Sequence, residues 1–303
     1  MKENNKAILY TIIAVLSWST VATAFKITLR HFTYFEMLLV ASISALIVFT
    51  INLTVQNKWK EIKKMSAGQW RRLAFIGALN PVAYYLVLFK SYDLLPAQVA
   101  QPINYSWPIV LLILLALFAH QPIPKIKYIG MFCSLGGVAL ISLGTGGINE
   151  QHLSVSGLLL AFLSAFLWGG YWMLNNRNRE IDSSITLFAS FLFGSIYLAI
   201  AAPWMDTDLA SLPGVLSAAY VGIFEMGIPF ICFGLAIRKT SNPALVNQLC
   251  YLSPFLSLFL ISTILGEKIF FTTYCGLILI VFGIAFNEYL AKTLTKPSKS
   301  ESR

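Results

Sequence analysis

The stretch Leu95-Pro96-Ala97-Gln98-Val99-Ala100-Gln101-Pro102-Ile103-Asn104-Tyr105-Ser106-Trp107-Pro108 opens an apolar run that continues to Phe118. It is membrane-like and yet too polar to face lipid. Gln98, Gln101 and Tyr105 fall at i, i+3 and i+7 and share one helical face, with Asn104 and Trp107 beside it. Pro102 and Pro108 interrupt a segment otherwise long enough to cross a bilayer. Side-chain amides, a phenol and an indole at membrane depth are costly unless they meet protein, water or a ligand. The face is therefore expected to look inward, toward a cavity.

A second stretch repeats the design: Asn242-Pro-Ala-Leu-Val-Asn-Gln-Leu-Cys-Tyr-Leu-Ser-Pro254, then an apolar run to Leu265. Placing Pro254 on Pro108 puts Asn247 on Gln101 and Tyr251 on Tyr105, an offset of 146 residues. Two interrupted helices at matching places in two halves of a membrane protein point to a transport site.

Composition supports the membrane. Hydrophobic residues make up 57 % of the chain, charged residues only 12 %, and the mean hydropathy is +0.71. Soluble domains carry about twice that share of charge. The apolar runs read as ten spans: Ala7 to Phe25, Tyr34 to Leu53, Leu73 to Phe89, Ala97 to Phe118, Ile126 to Leu143, Gly157 to Leu174, Ile185 to Ala202, Leu212 to Ile237, Ala244 to Leu265 and Phe270 to Leu290. The third and eighth are the weakest, because Pro81 and Pro229 interrupt them. With the N-terminus inside, all 22 basic residues except Lys26, Arg30, Lys90 and Lys268 fall in cytoplasmic segments. Both termini are thus expected to be cytoplasmic. The net charge of +9 is read as basic loops lying against anionic headgroups of the bilayer, without nucleic acid.

Lys2, Lys6 and the small residues Ala22-Thr23-Ala24 could pass for a cleavable leader. The same pattern recurs at Leu158 to Asn175, with Trp168 on Trp18 at an offset of 150, so the segment reads as a retained first helix. The halves also end alike. Gly130 and Gly137 match Gly276 and Gly283, glycines seven apart that allow close helix contact. The expected domains are a first five-helix repeat at 6–143, a second at 156–290 and a cytoplasmic tail at 291–303. Five spans per half is odd, so the second copy enters from the opposite side. The expected fold is all-α, with ten transmembrane helices in a 5+5 inverted-topology repeat and a site near the midplane.

These residues carry a resemblance. The five-plus-five layout, the Leu-Ser-Trp-Ser-Thr around Trp18, the Phe-Leu-Trp-Gly-Gly-Tyr around Trp168, the Tyr-Leu-Ser-Pro ending at Pro254 and the Leu-Gly-Glu-Lys at Leu265 to Lys268 resemble the EamA family of the drug/metabolite transporter superfamily. Asn104-Tyr105-Ser106-Trp107-Pro108 is similar to a motif of its aromatic amino acid exporter branch in bacterial inner membranes. Two positions depart from the family pattern: Ala119-His120-Gln121 stands where Leu-Gly-Glu is usual, and Glu36 stands near a common Arg. The resemblance implies a multi-pass protein of the bacterial plasma membrane that moves small molecules by alternating access, most plausibly exporting amino acids, with aromatic ones favoured.

Glu225 is the only charge between Tyr220 and Phe233. An intramembrane carboxyl is protonated, paired with a cation, or bound to substrate or ion, so a proton is a candidate coupling ion. A bond to a neighbouring helix is the structural alternative. Trp18 and Trp168 hold matching places. With Tyr105, Trp107, Tyr171, Trp172 and Tyr251 they could wall a pocket for a planar or cationic molecule, or simply fill the core. Of Tyr84 and Tyr85, adjacent and pointing apart, at most one is expected in that wall. Gln101, Asn104 and Asn247 offer neutral hydrogen bonds to a zwitterion, or bridge helices. Pro102, Pro108, Pro229 and Pro254 are the expected hinges. Lys26, Glu36, Asp93, Glu267 and Lys268 are expected to snorkel to solvent or to pair at the outer mouth.

The four cysteines have no paired spacing. No catalytic, metal-ligand or phosphate-loop pattern is present, so no cofactor is expected. Besides the amino acid reading, the sequence leaves open an organic cation or drug exporter with Glu225 as counter-ion, and a membrane enzyme or structural protein that transports nothing.

Overall fold

The computed structural model describes residues 3–118, 125–146, 153–176, 180–240, 246 and 249–287, and every regular element among them is helical. In chain order these are α1 (Glu3–Thr28), α2 (Tyr34–Val55), the single turn α3 (Trp59–Ile62), α4 (Ala67–Gly77), α5 (Tyr84–Leu94), α6 (Ala97–Asn104), α7 (Trp107–Phe118), α8 (Lys127–Gly146), α9 (Val155–Asn176), α10 (Ser183–Ala201), α11 (Leu212–Val221), α12 (Ile228–Lys239), α13 (Leu252–Leu265) and α14 (Phe271–Ala285). Seven stretches among the described residues are long and apolar enough to cross a membrane; Lys127–Ile141, Leu252–Leu265 and Phe271–Ala285 are apolar but shorter. Leu16, Ile51, Phe132, Leu159, Ile200 and Phe282 stand exposed, while polar side chains such as Ser42, Asn80, Gln101 and Ser164 are buried. That inversion suits a hydrocarbon surround.

The two spans that looked weakest are 28 residues long each, Ala67–Leu94 and Leu212–Lys239. Wider π-helical turns at Ala78–Ala83 and Gly222–Gly227 carry the chain past the interruptions. In the first, Asn80 leaves helical geometry (φ −140°, ψ 115°) ahead of Pro81, which has no N–H to give the ladder. In the second, the irregular residue is Gly227 (φ −79°, ψ −84°), and Pro229 sits in the first turn of α12, where a missing N–H costs nothing. The break expected at Pro229 is thus two residues earlier. Likewise α6 and α7 part at Tyr105 and Ser106, Pro102 lies inside α6, and Pro108 and Pro254 fall in the first turns of α7 and α13.

α1 packs on α12 and α13, α2 on α10, α5 and α7 on α9, and α14 on α8. The last pair crosses backbone to backbone. A methyl added at Gly130 would strike the Gly283 carbonyl and one at Gly283 the Gly130 carbonyl; Gly137 and Gly276 face each other in the same way. The two helices therefore run antiparallel. Ser134 Oγ donates to the Ile280 carbonyl at 3.1 Å within this contact.

The ends of the bundle are tied differently. At one end Lys239 meets Glu3 at 2.7 Å, Arg72 meets Glu180 at 2.6 Å and Lys58 meets Asp182 at 2.5 Å. Desolvation pushes the Asp182 carboxyl up, yet the Lys58 ammonium and the Ser184 N–H outweigh it and hold the group below its ordinary value.

At the other end charged side chains serve backbone groups, which corrects the expectation of snorkelling. Gly266 ends α13 in the left-handed region (φ 71°), and Glu267 then accepts from the N–H groups of Ala97 (3.0 Å) and Gln98 (3.3 Å) at the start of α6. Glu36 closes a capping box on Thr33 and accepts from the Asp208 N–H at 2.5 Å. Lys26 Nζ donates to the Tyr92 and Leu95 carbonyls (2.9 and 3.2 Å). Asp93 does pair, with Lys90 at 2.7 Å. Helix ends leave unpaired N–H and C=O groups, and a charged partner satisfies them better than solvent does in a half-buried place.

Candidate functional site

The two stretches that opened the sequence reading meet: the Tyr105 hydroxyl donates to Ser253 Oγ at 3.2 Å. Tyr105 ends α6 and Ser253 lies in the first turn of α13, one residue before Pro254. Asn104, one residue earlier, is fixed from both sides. Its Oδ1 accepts from the Tyr84 hydroxyl (3.3 Å) and its Nδ2 donates to Ser164 Oγ on α9 (2.9 Å). Gln98 instead ties α6 to the start of α14 through the Lys268 carbonyl (3.0 Å) and Thr273 (3.1 Å). Gln101 is buried, and its Oε1 has no hydrogen-bond partner among the described residues.

Around this polar line stands a connected set of rings. Trp168 is its hub. It stacks on Tyr84 with centroids 4.6 Å apart and on Tyr171 at 5.3 Å, and meets Phe230 at 5.7 Å. Trp172 stands perpendicular to it at 6.0 Å and stacks on Trp107 at 6.2 Å. The helical period explains the hub, since Trp168, Tyr171 and Trp172 fall at i, i+3 and i+4 on α9. Tyr84 arrives just after the break of the third span and Phe230 just after that of the eighth.

Glu225 lies in the π turn of the eighth span and is buried. Its Oε1 accepts from the Tyr85 hydroxyl at 3.1 Å, and its backbone carbonyl accepts from Trp18 Nε1 at 3.2 Å. Trp18 also packs against Phe233, centroids 5.7 Å apart, so the two matching tryptophans serve different neighbours.

Both Tyr84 and Tyr85 point into this centre, with rings 4.6 Å apart, against the expectation that only one would. Adjacent helical residues diverge by about 100°, and a site flanked by α6 on one side and the eighth span on the other receives both. Phe230 went unread in the sequence, because it carries no local signal. Tyr251 precedes α13 and is half-buried against the apolar core. Asn247 lies outside the described residues, as do Ala119, His120 and Gln121.

An all-helical, outwardly apolar bundle whose polar and aromatic side chains gather inside, beside two broken helices, has the construction of a multi-pass membrane transporter. The chain belongs to the EamA-like transporter family, which matches residues 5–143 and 155–289. It is 26 % identical over 227 residues to the uncharacterized transporter YvbV of Bacillus subtilis, covering 73 % of this chain and 72 % of that one. It is 23 % identical to the aromatic amino acid exporter YddG of Salmonella typhimurium, covering 92 % and 96 % respectively. A solved crystal structure with 20 % sequence identity superposes with a TM-score of 0.68 over 96 % of this chain and 99 % of that one, so the fold is shared.

Proposed function

We propose that this chain is a secondary transporter that exports amino acids, aromatic ones favoured, across a bacterial plasma (inner) membrane by alternating access. The observation that carries the reading is the ring cluster of Tyr84, Trp107, Trp168 and Tyr171 set against the amide of Asn104, where the two sequence stretches meet through Tyr105 and Ser253. An aromatic side chain fits stacked indoles, and neutral amides suit a zwitterionic head. The relative named as an aromatic amino acid exporter supports the same class.

The proposed architecture is ten spans in two inverted repeats, 6–143 and 156–290, followed by a cytoplasmic tail at 291–303. Two family matches of similar length support it, as does the reciprocal pairing of Gly130 with Gly283 and Gly137 with Gly276, the pattern a two-fold axis produces. Cytoplasmic termini are supported by the bundle end where Lys58, Arg72 and Lys239 gather. The substrate-binding set comprises Trp18, Tyr84, Gln101, Asn104, Tyr105, Trp107, Trp168, Tyr171, Glu225, Asn247 and Tyr251, with Pro102, Pro108, Pro229 and Pro254 at the hinges. Glu225 takes up a proton in one phase of the cycle and releases it in another. Its support is burial with a hydroxyl as hydrogen-bond partner and no ion-pair partner among the described residues.

Exchange of labelled tryptophan, phenylalanine, threonine and a planar organic cation in proteoliposomes tests this, with and without a proton gradient and in wild type and Glu225→Gln. Saturable exchange of the aromatic amino acids is the expected result. Exchange of the cation alone, lost on mutation, would make the protein a cation exporter with Glu225 as counter-ion. Failure of every solute to exchange would favour a membrane protein that transports nothing.

A further inference from the structure

We propose that Asn80, at the break of the third span, is a ligand-binding residue whose amide holds the ammonium and carboxylate of the transported amino acid; the proposal rests on the amino acid reading above. Asn80 is 1 % exposed, and among the described residues no hydrogen bond of good geometry closes on its Oδ1 or Nδ2, although the Tyr171 hydroxyl approaches the amide at looser geometry. A buried amide with both ends unmet is costly, and such groups are uncommon in folded proteins. Nothing in the local backbone requires that side chain. Proline, not asparagine, removes the helical bond, and the neighbouring residues pack through Pro81 against Gly194 and through Gly77 against Ser190.

The surroundings give the orphaned amide a purpose. The Tyr171 hydroxyl neighbours Asn80, and Tyr171 stacks on Trp168 at the hub of the ring cluster. Two further polar atoms are also buried and unmet among the described residues: Gln101 Oε1 on α6, one turn before Asn104, and Trp172 Nε1 on α9, whose ring meets that of Tyr171. One amide donor, one indole donor and two carbonyl acceptors thus stand open beside stacked indoles. An α-amino acid presents the complement, with a carboxylate that takes donors and an ammonium that takes acceptors. Asn80 supplies one of each from a single side chain. Irregular backbone inside a membrane is tolerated where it is buried in protein or lines a binding cavity, and the proposal assigns this break to the second case.

The test compares wild type with Asn80→Ala and Asn80→Ser. Tryptophan exchange in proteoliposomes is measured together with its inhibition by tryptamine, indole-3-propionate and 3-methylindole, which lack the carboxylate, the ammonium and both. The empty proteins are also melted in detergent. In Asn80→Ala the tryptophan KM is expected to rise about 10-fold at nearly unchanged kcat, the scale of a hydrogen bond lost from a charged ligand group. Inhibition by 3-methylindole should not change. The melting point of the empty protein should hold or rise, because a buried amide without a well-formed hydrogen bond has been removed; Asn80→Ser should lie between. An unchanged KM, equal weakening of all four ligands, or a lowered melting point would each overturn the proposal, the last by making Asn80 a structural partner. Wild-type protein without saturable tryptophan exchange would sink the amino acid reading and this proposal together, whereas wild-type exchange with an indifferent Asn80 sinks the proposal alone.

Discussion

The stretch Ala67–Leu94 breaks at Asn80, whose buried amide has no hydrogen bond of good geometry among the described residues, whereas Leu212–Lys239 breaks at Gly227, two residues after a carboxylate that Tyr85 already contacts. The π turns begin at Ala78 and Gly222, 144 residues apart, close to the offsets of 146 and 150 that relate the halves in sequence. Near-equivalent interruptions therefore carry different chemistry. A neutral amide can hold a zwitterion's head without changing charge; a carboxyl can exchange a proton and so connect transport to a gradient. On this account the first break recognises and the second couples.

The sharpest way to break that division is Glu225→Gln. Proton-driven accumulation of tryptophan should vanish while exchange between equal pH compartments persists, read as flux into proteoliposomes with and without a pH step. Loss of both would merge the two roles.

Next in size is Trp168→Ala. Trp168 joins Tyr84, beyond the first break, to Phe230, beyond the second. Its removal should cost about 3–5 kcal/mol by thermal or denaturant unfolding and also weaken tryptophan binding; Trp168→Phe should recover part of both. A change in stability with unaltered binding would detach the ring cluster from the substrate.

Gly283→Leu serves as a control remote from both breaks. Its side chain would enter the Gly130 carbonyl and Ser134, and overpacking of that kind costs about 1–3 kcal/mol. The melting point should fall, with the tryptophan KM of the surviving protein unchanged.

The smallest effect is expected at the bundle end. Asp182→Asn removes a largely buried pair with Lys58 at the membrane edge and should cost about 1 kcal/mol. The pairing and the Ser184 N–H hold the Asp182 carboxyl low in the folded protein. Its contribution to stability is therefore complete above the ordinary aspartate range and is lost as pH falls through the lower folded value. Melting curves of wild type and Asp182→Asn should converge only in strong acid, below about pH 4.

What the sequence made legible follows from the range of each signal. Glu225 stood out because a lone charge in an apolar run is conspicuous, and Trp168 because it repeats Trp18. The paired glycines of α8 and α14 were readable as close contacts from spacing alone. Their partners were not: sequence alignment sets Gly130 on Gly276, but antiparallel packing joins Gly130 to Gly283. Asn80 was hidden because Asn before Pro reads as ordinary turn chemistry, and its buried amide, reached only loosely by the Tyr171 hydroxyl, is revealed by packing alone. Glu36 and Glu267 read as charges near span ends that snorkel to solvent or pair at the outer mouth; in the structure they accept from backbone N–H groups of a distant loop and a distant helix. The prolines marked the broken spans correctly but not the broken residues, since a proline can sit harmlessly in a first turn two residues beyond the break.

Counterflow most directly tests the claim that one buried site, reached alternately from two sides, carries an aromatic amino acid. Proteoliposomes loaded with unlabelled tryptophan are diluted into trace labelled tryptophan with the proton gradient collapsed. The account predicts a transient overshoot of label that saturates with tryptophan and is competed by phenylalanine. Linear, unsaturable entry without trans-stimulation would contradict it.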